Sequence, residues 1–247
     1  MEEILWRFPH IGEKTFKILS NKNLAKCKTV SRSWCHFIKN DKFCEQRIHY
    51  ENIQKKKGKF GMTQLHKIAE AGQLSECRLI IDHVENKNPV DYKGHTPLHL
   101  AATQGHLDVC KLIVEKITNK NPRDKYGWTP LHVAAFVGHL DVCKLIIEKI
   151  AAKNPKDEAG WTPLHCAAQN GHLDICRLII EKIKNKNPAT YVGWTPLHIS
   201  AAHGHLDICR LIIHNVDDKH PINNQGITPQ VLALQNNHIA VSELFDS

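Results

Sequence analysis

A six-residue phrase returns along this chain at an unvarying stride of 33. It reads Gly94-His95-Thr96-Pro97-Leu98-His99, and comes again from Gly127 to His132, from Gly160 to His165 and from Gly193 to His198. Blurred copies stand at Gly61 to His66 and at Gly226 to Val231. A fixed period of this length excludes a single globular core. Each unit is one supersecondary element, which buries its apolar face only against its neighbours. The expectation is a stacked solenoid whose working part is an extended surface and not a catalytic pocket.

Within a unit the residue types dictate the local structure. Gly94 suits a turn with left-handed backbone angles. Thr96 reads as an N-cap and Pro97 as the first helical residue, where its missing N–H is not needed. Leu98, Ala101 and Ala102 follow on the first helix, the alanines small enough for close helix approach, and Gly105 reads as its C-terminal cap. A second helix starts at His106-Leu107-Asp108, with the acid in its first turn, and buries Leu107, Val109, Leu112 and Ile113. The loop from Asn119 to Arg123 leads to the next turn.

The period and the sequence Thr-Pro-Leu-His-x-Ala resemble the ankyrin repeat. Ala101, Ala134 and Ala167 complete that phrase, and Ser200 replaces the alanine in a fourth copy. The resemblance implies an all-α solenoid of about six helix–turn–helix repeats with short turn hairpins. Its units cover 58–90, 91–123, 124–156, 157–189 and 190–222, with a truncated one at 223–247. The end units are atypical: Gln64 stands for the proline in the first. One departure is systematic. Where ankyrin repeats place a glycine after the second helix, this chain has Ile117, Ile150 and Ile183, followed by Asn121-Pro122, Asn154-Pro155 and Asn187-Pro188. Without that glycine stop, the second helix is expected to run longer.

Ankyrin repeats bind partners on the concave side, through turn tips and the outer face of the first helix. Carried onto this chain, the implied substrate-binding set is Tyr92, His95, Lys125, Tyr126, Trp128, Phe136, Val137, Trp161, Tyr191 and Trp194. Trp128, Trp161 and Trp194 form one column, and two roles fit each: interface anchor, or packing over its own turn. Phe136 and Val137 sit where that helix is ordinarily polar. An exposed apolar patch beside Tyr126 and Trp128 points to a binding centre near the third repeat. Its mixed aromatic and polar character suits a protein ligand better than a small molecule.

Charge narrows the partner further. The net charge is +8, yet residues 1–58 hold 13 of the 33 Lys and Arg and only 6 of the 25 Asp and Glu. The array itself is nearly neutral, so no nucleic-acid groove is expected along it. Five of the 9 cysteines, Cys77, Cys110, Cys143, Cys176 and Cys209, share the stride. Equivalent residues of stacked units lie roughly 10 Å apart, beyond the ~7 Å reach of a disulfide. A reduced, intracellular chain follows, placed in the cytoplasm or nucleus. No apolar run reaches the ~18 residues of a membrane span. Met1-Glu2-Glu3 is unlike the basic start of a secretory signal. Nine of the 18 histidines fall in motif slots, where hydrogen bonds within and between repeats explain them better than catalysis. No phosphate-binding loop or nucleophile elbow occurs, so no enzyme activity and no cofactor are expected.

Residues 1–50 lie outside the period. Their apolar spacing predicts two or three short helices, with a turn at Ser20 to Asn23. Phe8-Pro9, the apolar Ile11, Phe16, Leu19 and Leu24, and the closing Val30 and Trp34 resemble an F-box. Phe8 stands where that family has Leu, and Ser31 where a Cys is common. The resemblance implies that these eight residues serve the module's core and its contact with the Skp adaptor of a Skp–cullin–F-box ubiquitin ligase. The Lys-rich link at 51–57 would join it to a substrate-binding array, the whole acting as a monomer. The rival is an ankyrin scaffold whose helical N-terminus is only a cap. Cys27, Cys35, His36, Cys44 and His49 lack the close Cys-x-x-Cys pairs of a zinc site, so no metal is expected.

Overall fold

The structure, a computed structural model, describes residues 59–246. The F-box-like segment at 1–50, with Phe8, Pro9, Ile11, Phe16, Leu19, Leu24, Val30 and Trp34, lies outside the described residues, as do the linker at 51–57 and the cysteine and histidine positions within 1–50.

After a 3-10 turn at Lys59–Gly61, helices follow in pairs. The first pair is α1 (Gln64–Glu70) and α2 (Leu74–Ile81), the second α3 (Pro97–Gln104) and α4 (Leu107–Lys116), the third α5 (Pro130–Val137) and α6 (Leu140–Lys149). Then come α7 (Pro163–Gln169) and α8 (Leu173–Lys182), α9 (Pro196–Ala202) and α10 (Leu206–His214), and α11 (Pro229–Gln235) with the four-residue α12 (Ile239–Ser242). A 3-10 turn at Glu243–Phe245 closes the stack. First helices pack on first helices and second on second, and among the described residues no strand occurs.

The predicted caps are in place. Thr96, Thr129, Thr162 and Thr195 are extended N-caps with proline next in line. Leu98, Leu131, Leu164 and Leu197 are wholly buried, and so are the alanines that let the first helices touch. Truncating one of these leucines to alanine costs about 2–5 kcal/mol by loss of burial and a residual cavity. The periodic cysteines form a second buried column, and burial pushes the thiols up, that of Cys143 to about 12.

Gly127 holds a φ of +82°, and a Cβ there would come within 2.8 Å of the Glu158 backbone nitrogen. At Gly138, with φ +101°, it would meet the His172 ring at 2.5 Å. The turn tips are tied edge to edge by single backbone bonds: Lys125 N to Lys93 O, Glu158 N to Tyr126 O, Tyr191 N to Ala159 O, and Asn224 N to Val192 O.

The expected lengthening of the second helix does not occur. α4, α6 and α8 stop at Lys116, Lys149 and Lys182, and the next residues, Ile117, Ile150 and Ile183, are extended. Burial of the first two draws the chain out of the helix. A lysine three residues on replaces the missing glycine cap. Lys120 donates to Val114 O at 2.6 Å and Ile117 O at 3.0 Å. Lys153 donates to the carbonyls of Ile147 and Ile150, and Lys186 to that of Ile180. An ammonium on the last carbonyls also suits the negative end of the helix dipole.

Candidate functional site

Each tip is clasped from below by the residue that opens its unit. Asp124 Oδ1 accepts from Tyr126 N and Trp128 N, both at 2.8 Å. Asp157 Oδ1 accepts from Ala159 N and Trp161 N, also at 2.8 Å. Asp91 does the same for Lys93 and His95, and Asn223 for Gln225 and Ile227. With the backbone so fixed, the two residues at the summit of each turn point to solvent. They are Tyr92 and Lys93, Lys125 and Tyr126, Glu158 and Ala159, then Tyr191 and Val192. This acidic clasp was readable in the stride from Asp91 to Asp124 to Asp157, but sequence analysis passed over it.

The histidine columns are part of the scaffold. Thr129 N donates to His132 Nδ1 at 3.1 Å, so that nitrogen is unprotonated, and Nε2–H donates across to Trp161 O at 3.3 Å. His99 and His165 repeat this with Trp128 O and Trp194 O. A neutral ring with both nitrogens occupied gains nothing from a proton. Burial holds His99, His132 and His165 down to about 4, while the carbonyl acceptor pulls weakly the other way. A second column, His106, His139, His172 and His205, donates to carbonyls of the preceding unit; His172 bonds Phe136 O at 3.1 Å. Both histidine columns are thus bonded to the backbone of the scaffold.

The ten predicted contact residues do not form one patch. Tyr92, Lys125, Tyr126 and Tyr191 are exposed at the tips. His95, Trp128, Trp161 and Trp194 are half-buried, each leaning on the motif histidine of its own unit at 5.5–6.1 Å between ring centres. Packing over the turn is thus part of the role of Trp128, Trp161 and Trp194. Trp128 has further contacts. Its Nε1 donates to Asp157 Oδ2 at 3.0 Å, and its ring lies 5.6 Å from that of Phe136. Phe136 and Val137 are 38% and 42% exposed. Tyr126 and Trp128 share an open hollow of about 630 Å³ with His95, Asp124, Asp157, Glu158 and Ala159. Tyr92, Trp161, Tyr191 and Trp194 stand outside that group; Tyr191 is instead covered by Lys156, 5.4 Å from the ring centre. That hollow therefore lies between the third and fourth units.

A family model described as "Ankyrin repeats" matches three stretches, 35–124, 113–190 and 182–246. The crystal structure of an ankyrin repeat domain from Acinetobacter baumannii AYE is similar to this chain, with a TM-score of 0.66 and 22% identity over 73% of this chain and 95% of that one. At that identity the likeness shows the fold alone. No curated protein matches. Among the described residues, no helix is long and apolar enough to cross a membrane.

Proposed function

The chain belongs to the ankyrin-repeat family, and from that premise we propose that it is a non-catalytic protein-binding array with its contact centre at Tyr126, Trp128, Phe136 and Val137. The exposure of Phe136 and Val137 beside Trp128 carries this reading. Both side chains leave apolar surface open to solvent at the end of α5, where the fourth unit carries the polar Gln169 and Asn170. Aromatic and apolar groups held on a rigid frame are what a protein interface uses as anchors.

The finer reading adds the N-terminal segment. Phe8, Pro9, Ile11, Phe16, Leu19, Leu24, Val30 and Trp34 would dock on the Skp adaptor and through it a cullin, in the cytoplasm or nucleus. The array would then hold a protein substrate near a ubiquitin-loaded enzyme, acting through effective concentration and performing no chemistry itself. Support comes from the spacing of those eight residues and from the basic link ahead of a recognition surface. The family match beginning at residue 35 favours a second reading, in which part of 1–50 caps the array and no ubiquitin role exists. A pull-down with purified Skp adaptor separates the two. The full chain binds and a Phe16→Ala/Leu24→Ala/Trp34→Ala variant with an unchanged circular-dichroism spectrum does not, if the first reading holds. No binding by the full chain leaves the scaffold reading.

A further inference from the structure

The hollow between the third and fourth tips has a composition that its neighbours lack. In the fourth unit Ala159 stands where the third has Tyr126, so no large side chain roofs the space beyond Trp128. Its walls are the rings of Tyr126, Trp128 and His95, and its carboxylates are those of Asp124, Asp157 and Glu158. Asp157 is 7% exposed, and all three of its bonds come from neutral donors: Ala159 N, Trp161 N and Trp128 Nε1. Among the described residues, Asp124 Oδ2 meets the His95 ring, at 3.5 Å. Glu158, on the rim, is met by Arg123 at 3.7 Å. Among the described residues no lysine or arginine pairs with Asp124 or Asp157.

The buried carboxylates of Asp124 and Asp157, with no lysine or arginine partner among the described residues and with aromatic rings beside them, attract positive charge twice: by Coulomb force and through the ring quadrupoles, for which tryptophan is the strongest. An anion would be repelled, and a purely apolar group would further desolvate the carboxylates. Among the described residues no three metal-ligating side chains converge closely enough to hold a metal ion, which leaves an organic cation. We propose that this hollow is a specificity pocket for one lysine or arginine side chain of the bound protein, its aliphatic stem lying along Tyr126 and Trp128. The assignment rests on the protein-binding reading of this face and names the partner's anchoring chemistry.

The test uses the 15N-labelled full chain. Its 5 tryptophans give separate indole N–H signals, and Trp128→Phe identifies the one in the hollow. N-acetyl-lysinamide and N-acetyl-argininamide are titrated at constant ionic strength against N-acetyl-norleucinamide, which keeps a comparable alkyl chain without the charge. Saturable movement of the Trp128 signal by the two cationic probes alone is the expected result. Asp157→Asn should weaken it about tenfold by removing the charge. That variant keeps the turn, since Asn223 clasps the last tip through the same oxygen; the bond from Trp128 Nε1 is lost with it, so each titration is read from the variant's own ligand-free signal. Ala159→Tyr should abolish it by filling the space. No saturable movement, an equal response to norleucinamide, or unchanged affinity in Asp157→Asn overturns the pocket. Each of those results leaves the apolar contact at Phe136 and Val137 standing, because that contact is read by partner capture.

Discussion

The third unit, 124–156, and the fourth, 157–189, are nearly the same unit twice, apart from one surface. Both carry Asp-x-x-Gly-Trp-Thr-Pro-Leu-His, both bury two alanines, and both continue with Gly-His-Leu-Asp and a buried cysteine. Their buried differences are slight, Val142 against Ile175 among them. Towards solvent they part. Lys125 and Tyr126 face Glu158 and Ala159 at the tips, and Phe136 and Val137 face Gln169 and Asn170 on the first helix. Closely matched scaffolds with different exposed residues show that the period fixes where side chains are displayed and leaves open which ones. The last unit shows what happens when scaffold residues change too. Val231 stands in the histidine slot and Leu234 in the alanine slot, both exposed, and a Cβ on Gly226 would meet nothing within 4 Å.

If the two units share their capping and core residues, damage to that shared scaffold should be severe and alike in both. Acid should have the largest effect. In the folded chain His99, His132 and His165 titrate at about 4 against an ordinary 6.5. Between those values the unfolded chain takes up protons that the folded one excludes. Stability is therefore complete above pH 6.5 and is lost as pH falls towards 4. From pH 7 to 5 the loss is roughly 2 kcal/mol for each ring, several in all, and urea midpoints across that range would report it. An acid-insensitive midpoint would contradict the neutral-ring geometry.

A single ring comes next. His132→Leu strands Thr129 N and Trp161 O in the core and should cost about 2–4 kcal/mol by urea unfolding. His165→Leu should match it closely, because its surroundings are the same; a wide gap between the two would break the comparison. Smaller still, Lys120→Ala frees two carbonyls at the end of α4 and should cost about 1 kcal/mol. The smallest shift is expected from moving the fourth summit onto the third. Tyr126→Ala/Phe136→Gln/Val137→Asn should change the urea midpoint by no more than about 0.5 kcal/mol equivalent, as exposed positions allow.

Much of this was legible in the sequence, because a 33-residue phrase combines turn, cap, proline and alanine signals that all agree. The exposure of Tyr126, Phe136 and Val137 followed from their register in the unit. Two features were hidden. The lysine caps on the second helices were obscured because Lys120, Lys153 and Lys186 read as ordinary loop charges, and their reach back to buried carbonyls depends on how Ile117 and its equivalents turn inward. The acidic floor of the hollow was hidden because Asp157, unlike Asp124, is distant in sequence from the ring it meets. Only stacking places Asp157 under Trp128.

One measurement goes most directly to the claim that function resides in the third summit. The full chain and its Tyr126→Ala/Phe136→Gln/Val137→Asn variant, matched in urea midpoint, would be compared by quantitative affinity capture from the same lysate. The account predicts that specific protein partners retained by the wild type fall about a hundredfold with the variant. Equal retention by both would contradict it and move the binding surface elsewhere on the array.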